Sequence, residues 1–154
     1  IDRERLNEVI KLGIEYDASK ITQNEHPLYV NLDLDGFEQQ ERNIYNKDSF
    51  KAFEVSTIRF LGVNIPIAGG GYLRIIPWPL YKWLLKKYLK KSNFINFFIH
   101  PFELSKANIE LPKNTPFLTK FRYNYNRSKV ESRLNKIINL LNDNGYIFKT
   151  FTQL

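Results

Sequence analysis

Cysteine is absent from this chain of 154 residues, and histidine occurs only twice, at His26 and His100. Without a thiol there is no disulfide framework, no thiolate metal site and no thiol nucleophile, and the usual cue to redox compartment is missing. A catalytic metal site takes about three protein ligands and an open water position. Two histidines without His-x-x-x-His spacing do not supply that set. No apolar run approaches the roughly 20 residues needed to cross a bilayer, and no charged-apolar-small secretory pattern opens the sequence. Internal repeats and low-complexity tracts are also missing.

What is present is enough for a core. Hydrophobic residues make up 43% and aromatic residues 15%, so the length and composition fit one ordinary domain without long disorder. The net charge of +7 favours acidic partners such as nucleic acid, anionic lipid or an anionic polymer, although surplus lysine also serves solubility alone.

Periodicity gives the organisation. The opening segment reads as a helix capped by Asp2, with Leu6, Val9 and Ile10 on one face and Gly13 as its stop. Such an abrupt start points to a piece of a longer protein. Residues 14–17 read as a short strand, residues 18–47 as a long connection, and residues 50–62 as a strand segment. A helix is expected over 78–91, with Pro79 in its first turn. Leu80, Tyr81, Leu84, Leu85 and Tyr88 form its apolar stripe, and Lys82, Lys86, Lys87, Lys90 and Lys91 its other face. Residues 94–99 are nearly all apolar, the pattern of a strand covered on both sides in a parallel sheet. Residues 105–126 read as loop. Ser128 and Glu131 open a last helix with Val130, Leu134, Ile137, Ile138 and Leu141 inward and Gly145 at its end, before a final strand over 146–151. This order suggests α/β architecture with a mostly parallel sheet.

Two segments carry the chemical signal. Gly69-Gly70-Gly71-Tyr72-Leu73-Arg74 follows an apolar run, and His100-Pro101-Phe102-Glu103 follows the apolar residues 94–99. Three consecutive glycines mark backbone that takes positive φ or lets another group approach closely. No Gly-Lys-Ser/Thr follows them, so a phosphate loop is unsupported. His100 is either a hydrogen-bonded structural histidine or a proton-transfer group. Tyr72 and Arg74 either contact a ligand or pack and pair. Asp17 either caps a turn or lines a site. Asn31, Asp33 and Asp35 copy half of a calcium loop, but the twelfth position is Arg42, where a bidentate Glu belongs. His26, between Glu25 and Pro27, reads as a loop residue.

At these residues the chain resembles the polysaccharide deacetylases of the NodB-homology class, specifically the C-terminal half of a branch with GGGYFR-like and YLHPWE-like segments. Here they read Gly69-Gly70-Gly71-Tyr72-Leu73-Arg74 and Phe98-Ile99-His100-Pro101-Phe102-Glu103. The stretch Leu12-Gly13-Ile14-Glu15-Tyr16-Asp17-Ala18-Ser19 is similar to the family's LGYRYDSS segment, Phe53-Glu54-Val55-Ser56-Thr57 to its EFPxS strand, and Phe121-Arg122-Tyr123 to its tail. The resemblance implies an α/β fold forming the C-terminal portion of a distorted, incomplete (β/α) barrel. It implies a metal-dependent hydrolase removing N-acetyl groups from an amino-sugar polymer, a bacterial protein of cytoplasm or cell envelope. The family's early Asp-Asp, His-x-x-x-His and Arg-x-Pro motifs are not in this sequence. The resemblance therefore assigns the divalent metal, zinc in this reading, to an N-terminal half that would be this chain's partner, with no metal ligand here.

By the same resemblance His100 is the late catalytic histidine. Gly70, Gly71, Tyr72, Arg74 and Asp17 line the substrate wall, and Trp78, Phe102 and Tyr123 either stack on sugar or pack in the core. Amide hydrolysis needs an acid to protonate the departing amine, and imidazole titrates in the right range. The competing readings are a carbohydrate-binding remnant without catalysis, and a basic domain using the 82–91 helix face on nucleic acid or a membrane. No nucleic-acid motif supports the latter.

Overall fold

The computed structural model describes residues 3–21, 32–105, 107 and 109–154. The expected cap at Asp2 and the loop histidine His26 lie outside those residues. The chain divides into two compact units, residues 1–68 with 87–97, and residues 69–86 with 98–154.

In the first unit, helix α1 (Arg3–Lys11) forms because Leu6, Val9 and Ile10 recur at helical spacing, and it stops where Gly13 takes φ of 81°. Leu6 is buried with Leu32, Phe50 and Ala52, and Val9, Ile10, Leu34, Phe37 and Tyr45 pack around them. Strands β1 (Tyr16–Lys20), β2 (Glu38–Glu41), β3 (Ile44–Lys47) and β4 (Phe50–Glu54) form a sheet of order β1-β4-β3-β2. The β1–β4 pair is parallel, with Asp17 opposite Ala52, whereas β4–β3 and β3–β2 are antiparallel. The mostly parallel sheet expected from the element order is thus replaced by one parallel pair and two hairpin pairs. β4 is the buried strand, and β2 is exposed along its length.

Strands β5 (Thr57–Phe60) and β6 (Val63–Pro66) form a separate antiparallel hairpin. Leu61 and Gly62 both have positive φ, 49° and 81°, as a two-residue turn matching strand twist requires. A buried polar cluster stands beside these strands. The Tyr88 hydroxyl accepts from Asn43 Nδ2 at 2.9 Å and donates to the Phe94 carbonyl at 2.9 Å. Ser56 Oγ lies 3.1 Å from that hydroxyl and accepts the Asn96 N–H at 3.0 Å. Residues 94–97 are held by this cluster and form no strand.

The second unit contains α2 (Gly70–Ile75), α4 (Pro101–Leu104), α5 (Phe117–Asn124) and α6 (Val130–Asp143), the last preceded by a 3-10 turn, Arg127–Lys129. Helix α3 (Trp78–Leu89) buries Tyr81, Leu84, Leu85 and Tyr88 as its stripe predicts, with its lysines outward. Leu80 is exposed instead of buried. Helix α6 buries Val130, Ile137, Leu140 and Leu141, and ends where Gly145 takes φ of 78°.

Three further expectations are corrected. A helix, α5, occupies part of the stretch read as loop, and none of its residues is buried. Residues 146–150 carry no strand, and Phe151–Gln153 is a 3-10 turn. The glycine triplet does not take positive φ: Gly69 is extended at φ −135° and caps α2, which begins at Gly70.

Candidate functional site

Two segments of the second unit run side by side at the site. Gly69 and Phe98 form a parallel bridge, and the Gly70 N–H donates to the Phe98 carbonyl at 3.2 Å. A short way beyond the bridge each segment turns into a helix, α2 from Gly70 and α4 from Pro101. His100 is therefore not the end of a long strand. It is the extended N-cap residue of α4, at φ −80° and ψ 142°, followed by Pro101 in the first helical position.

Glu103 closes this corner. Its side chain is buried, and its Oε2 accepts the backbone N–H of His100 at 3.1 Å while its own N–H donates to the His100 carbonyl at 2.9 Å. Its Oε1 is 3.0 Å from Arg74 Nη2, an ion pair in which both side chains are almost fully withdrawn from solvent. Arg74 Nη1 donates to the carbonyls of Arg122 at 2.8 Å and Tyr123 at 3.1 Å, on the last turn of α5. Charges taken this far out of water are tolerated when paired and hydrogen-bonded, and losing one partner costs about 3–5 kcal/mol. Arg133 of α6 donates to the carbonyls of Leu73, Arg74 and Ile76, so the C-terminal end of α2 is also satisfied from a distant element.

Gly69 and Gly70 are explained by close approach, and none of the three glycines adopts positive φ. A Cβ on Gly70 would lie 2.6 Å from the Glu103 carboxyl carbon and 2.8 Å from Oε1, distances that real side chains do not reach. On Gly69 it would meet the Phe98 ring at 3.0 Å. On Gly71 it would find only Arg74 Nη2, at 4.0 Å.

The His100 side chain faces solvent in a row of rings. Phe98 stands edge-on to it at 5.8 Å and 74°, Phe102 stacks on it at 5.6 Å and 14°, and Tyr123 lies 5.7 Å beyond Phe102. A solvent-facing imidazole held at a fixed backbone position can exchange protons with a bound molecule. The flanking rings offer flat apolar surface of the kind that sugar faces stack on.

The structure thus brings Gly70, Arg74 and His100 together through Glu103. Arg74 is engaged by its ion pair and by the two carbonyls, the arrangement of the packing-and-pairing reading. Tyr72 and Gly71 are half-buried on α2. Asp17 belongs to the first unit, where its Oδ1 accepts from the Ser19 N–H at 2.9 Å and Oγ at 2.7 Å, the arrangement of a turn former. Trp78 stacks on Tyr81 at 5.9 Å with Lys136 Nζ over its ring.

Glu103 stands within a motif whose sequence does not show its role, and nothing in the sequence marks Arg133. The available signal was the spacing of His100 and Glu103, three apart across Pro101, which is that of an N-cap and an N3 acid. Arg127, which donates to the Ser105 carbonyl at 2.8 Å and to that of Ala107, had no such signal.

Among the described residues no three His, Asp or Glu side chains cluster so as to hold a metal ion, and both oxygens of Glu103 are already engaged. The residues here do not fit a divalent metal. Among them also, no helix is long and apolar enough to cross a membrane.

No curated protein and no solved structure matches the chain. The family model described as Domain of unknown function (DUF3473), a family related to the C-terminal regions of polysaccharide deacetylases, matches residues 25–153, and the chain belongs to that family.

Proposed function

We propose that this chain is the C-terminal portion of a polysaccharide deacetylase, part of an incomplete (β/α) barrel of the NodB-homology type, that hydrolyses N-acetyl groups of an amino-sugar polymer. The observation that carries the proposal is the presentation of His100. Its backbone is fixed by Glu103 and its side chain is exposed between Phe98 and Phe102, in the segment that resembles the family's late catalytic motif. The family match over residues 25–153 is consistent with this reading.

In that role His100 protonates the departing amine, a poor leaving group without a proton. Phe102 and Tyr123 border the sugar, and Gly70 and Arg74 shape the wall indirectly by seating Glu103. In this reading the divalent metal is held by residues outside this chain. The experiment is acetate release from N-acetylglucosamine oligomers by the full-length protein, with chelation and zinc restoration as controls. Metal-dependent release supports the proposal. Saturable oligomer binding without any release would favour the carbohydrate-binding reading, which draws on the same row of rings.

A further inference from the structure

We infer that Glu103 is a positioning residue for His100, and that Arg74 fixes Glu103 in that task. The inference rests on the hydrolase reading of His100. Helix α4 is a single turn over Pro101–Leu104, and Pro101 contributes no N–H, so α4 has little hydrogen bonding of its own to hold its first residues. Beside the Glu103 N–H bound to the His100 carbonyl at 2.9 Å, the tie that a side chain supplies to His100 is the Glu103 carboxylate, which accepts the His100 N–H at 3.1 Å. The imidazole is flanked by the rings of Phe98 and Phe102, and both belong to the same short stretch of chain. Its location relative to the rest of the unit is set by two ties, the Gly69–Phe98 bridge on one side and the anchored Glu103 carboxylate on the other.

That anchor is Arg74, one helix away. Its Nη2 takes Glu103 Oε1 at 3.0 Å, while Nη1 is tied to the carbonyls of Arg122 and Tyr123. Gly70 leaves the space that the carboxylate occupies. Each carboxylate oxygen of Glu103 thus serves one named donor, the His100 N–H or the Arg74 guanidinium. This division predicts what substitutions do. A glutamine has one acceptor oxygen and one donor NH2, so in either orientation one of the two donors faces another donor. In Glu103→Gln the corner either releases His100 or leaves the guanidinium buried and unpaired. Replacing Arg74 by methionine at the same time removes the competing donor. The glutamine oxygen is then free to accept from His100.

The test measures acetate release from N-acetylglucosamine oligomers by the full-length protein, with thermal melting of each variant alongside. Glu103→Gln lowers kcat by about 100-fold, the cost of misplacing a reacting group by about 1 Å, with KM little changed. The double variant Arg74→Met/Glu103→Gln recovers about ten-fold or more of that loss. A role confined to stability would move Tm without this pattern of loss and rescue. If Glu103→Gln is folded and turns over like the wild type while His100→Ala is inactive, the positioning role is overturned and the hydrolase reading stands. If His100→Ala turns over like the wild type, the hydrolase reading fails and the inference falls with it. If Glu103→Gln does not fold, the double variant decides. Folded and active above the His100→Ala level, it supports the inference, and folded at that level, it overturns it.

Discussion

Gly70 and Glu103 occupy complementary space: the carboxylate of Glu103 fills the position where any side chain at residue 70 would begin. Gly70→Ala must therefore displace Glu103 from Arg74 or shift α2, an overpacking that costs about 1–3 kcal/mol. Gly71→Ala meets no such obstacle and gains helix propensity, so its change stays within about 1 kcal/mol of the wild type. Urea denaturation of the two variants checks this. Equal effects at both positions would show that the glycines do not act through the carboxylate.

In the first unit, the Tyr88 hydroxyl joins Asn43, Ser56 and Phe94 inside the protein. Tyr88→Phe keeps the ring but leaves the buried Asn43 amide with its long 3.5 Å contact to Ser56 Oγ in place of the 2.9 Å bond, and we expect a loss of about 1–3 kcal/mol in denaturant unfolding. A neutral result would mean that the amide finds another partner at once.

Helices α1, α3 and most of α6 were legible because one apolar stripe at a period of 3.6 residues is both the sequence signal and the packing face. The segment 94–99 was not. An apolar run says that residues are covered, but it does not say by which backbone geometry, and here a tyrosine hydroxyl and a serine take the hydrogen bonds a neighbouring strand would have taken. Helix α5 was hidden for the opposite reason, since its Phe117, Leu118 and Phe121 are exposed and leave no inward stripe to detect. At the candidate site, His100 and the glycines were visible as residue types. Their connection was not, because Gly70 is explained by Glu103, and a close approach between residues so far apart in sequence leaves no periodic trace. The spacing of His100 and Glu103 was the one local clue to that corner.

A pH dependence follows from Tyr45. Its hydroxyl, pushed up to about 12 first by burial and then by the charge and hydrogen bond of Glu54, holds its proton more tightly in the folded state than in the unfolded chain, where tyrosine titrates near 10. The sign follows from linkage. This contribution is fully present below pH of about 10 and is lost as pH rises from there towards about 12. Stability measured across that window should fall more steeply for the wild type than for Tyr45→Phe. Parallel profiles would place the loss in other groups.

Proton transfer by His100 during N-acetyl hydrolysis is tested by turnover of N-acetylglucosamine oligomers by full-length His100→Ala, with metal content determined on the same preparation. We expect kcat to fall by about 10²–10⁴-fold, the usual worth of a general acid, with bound metal unchanged. Wild-type turnover, or loss of the metal together with activity, would contradict it.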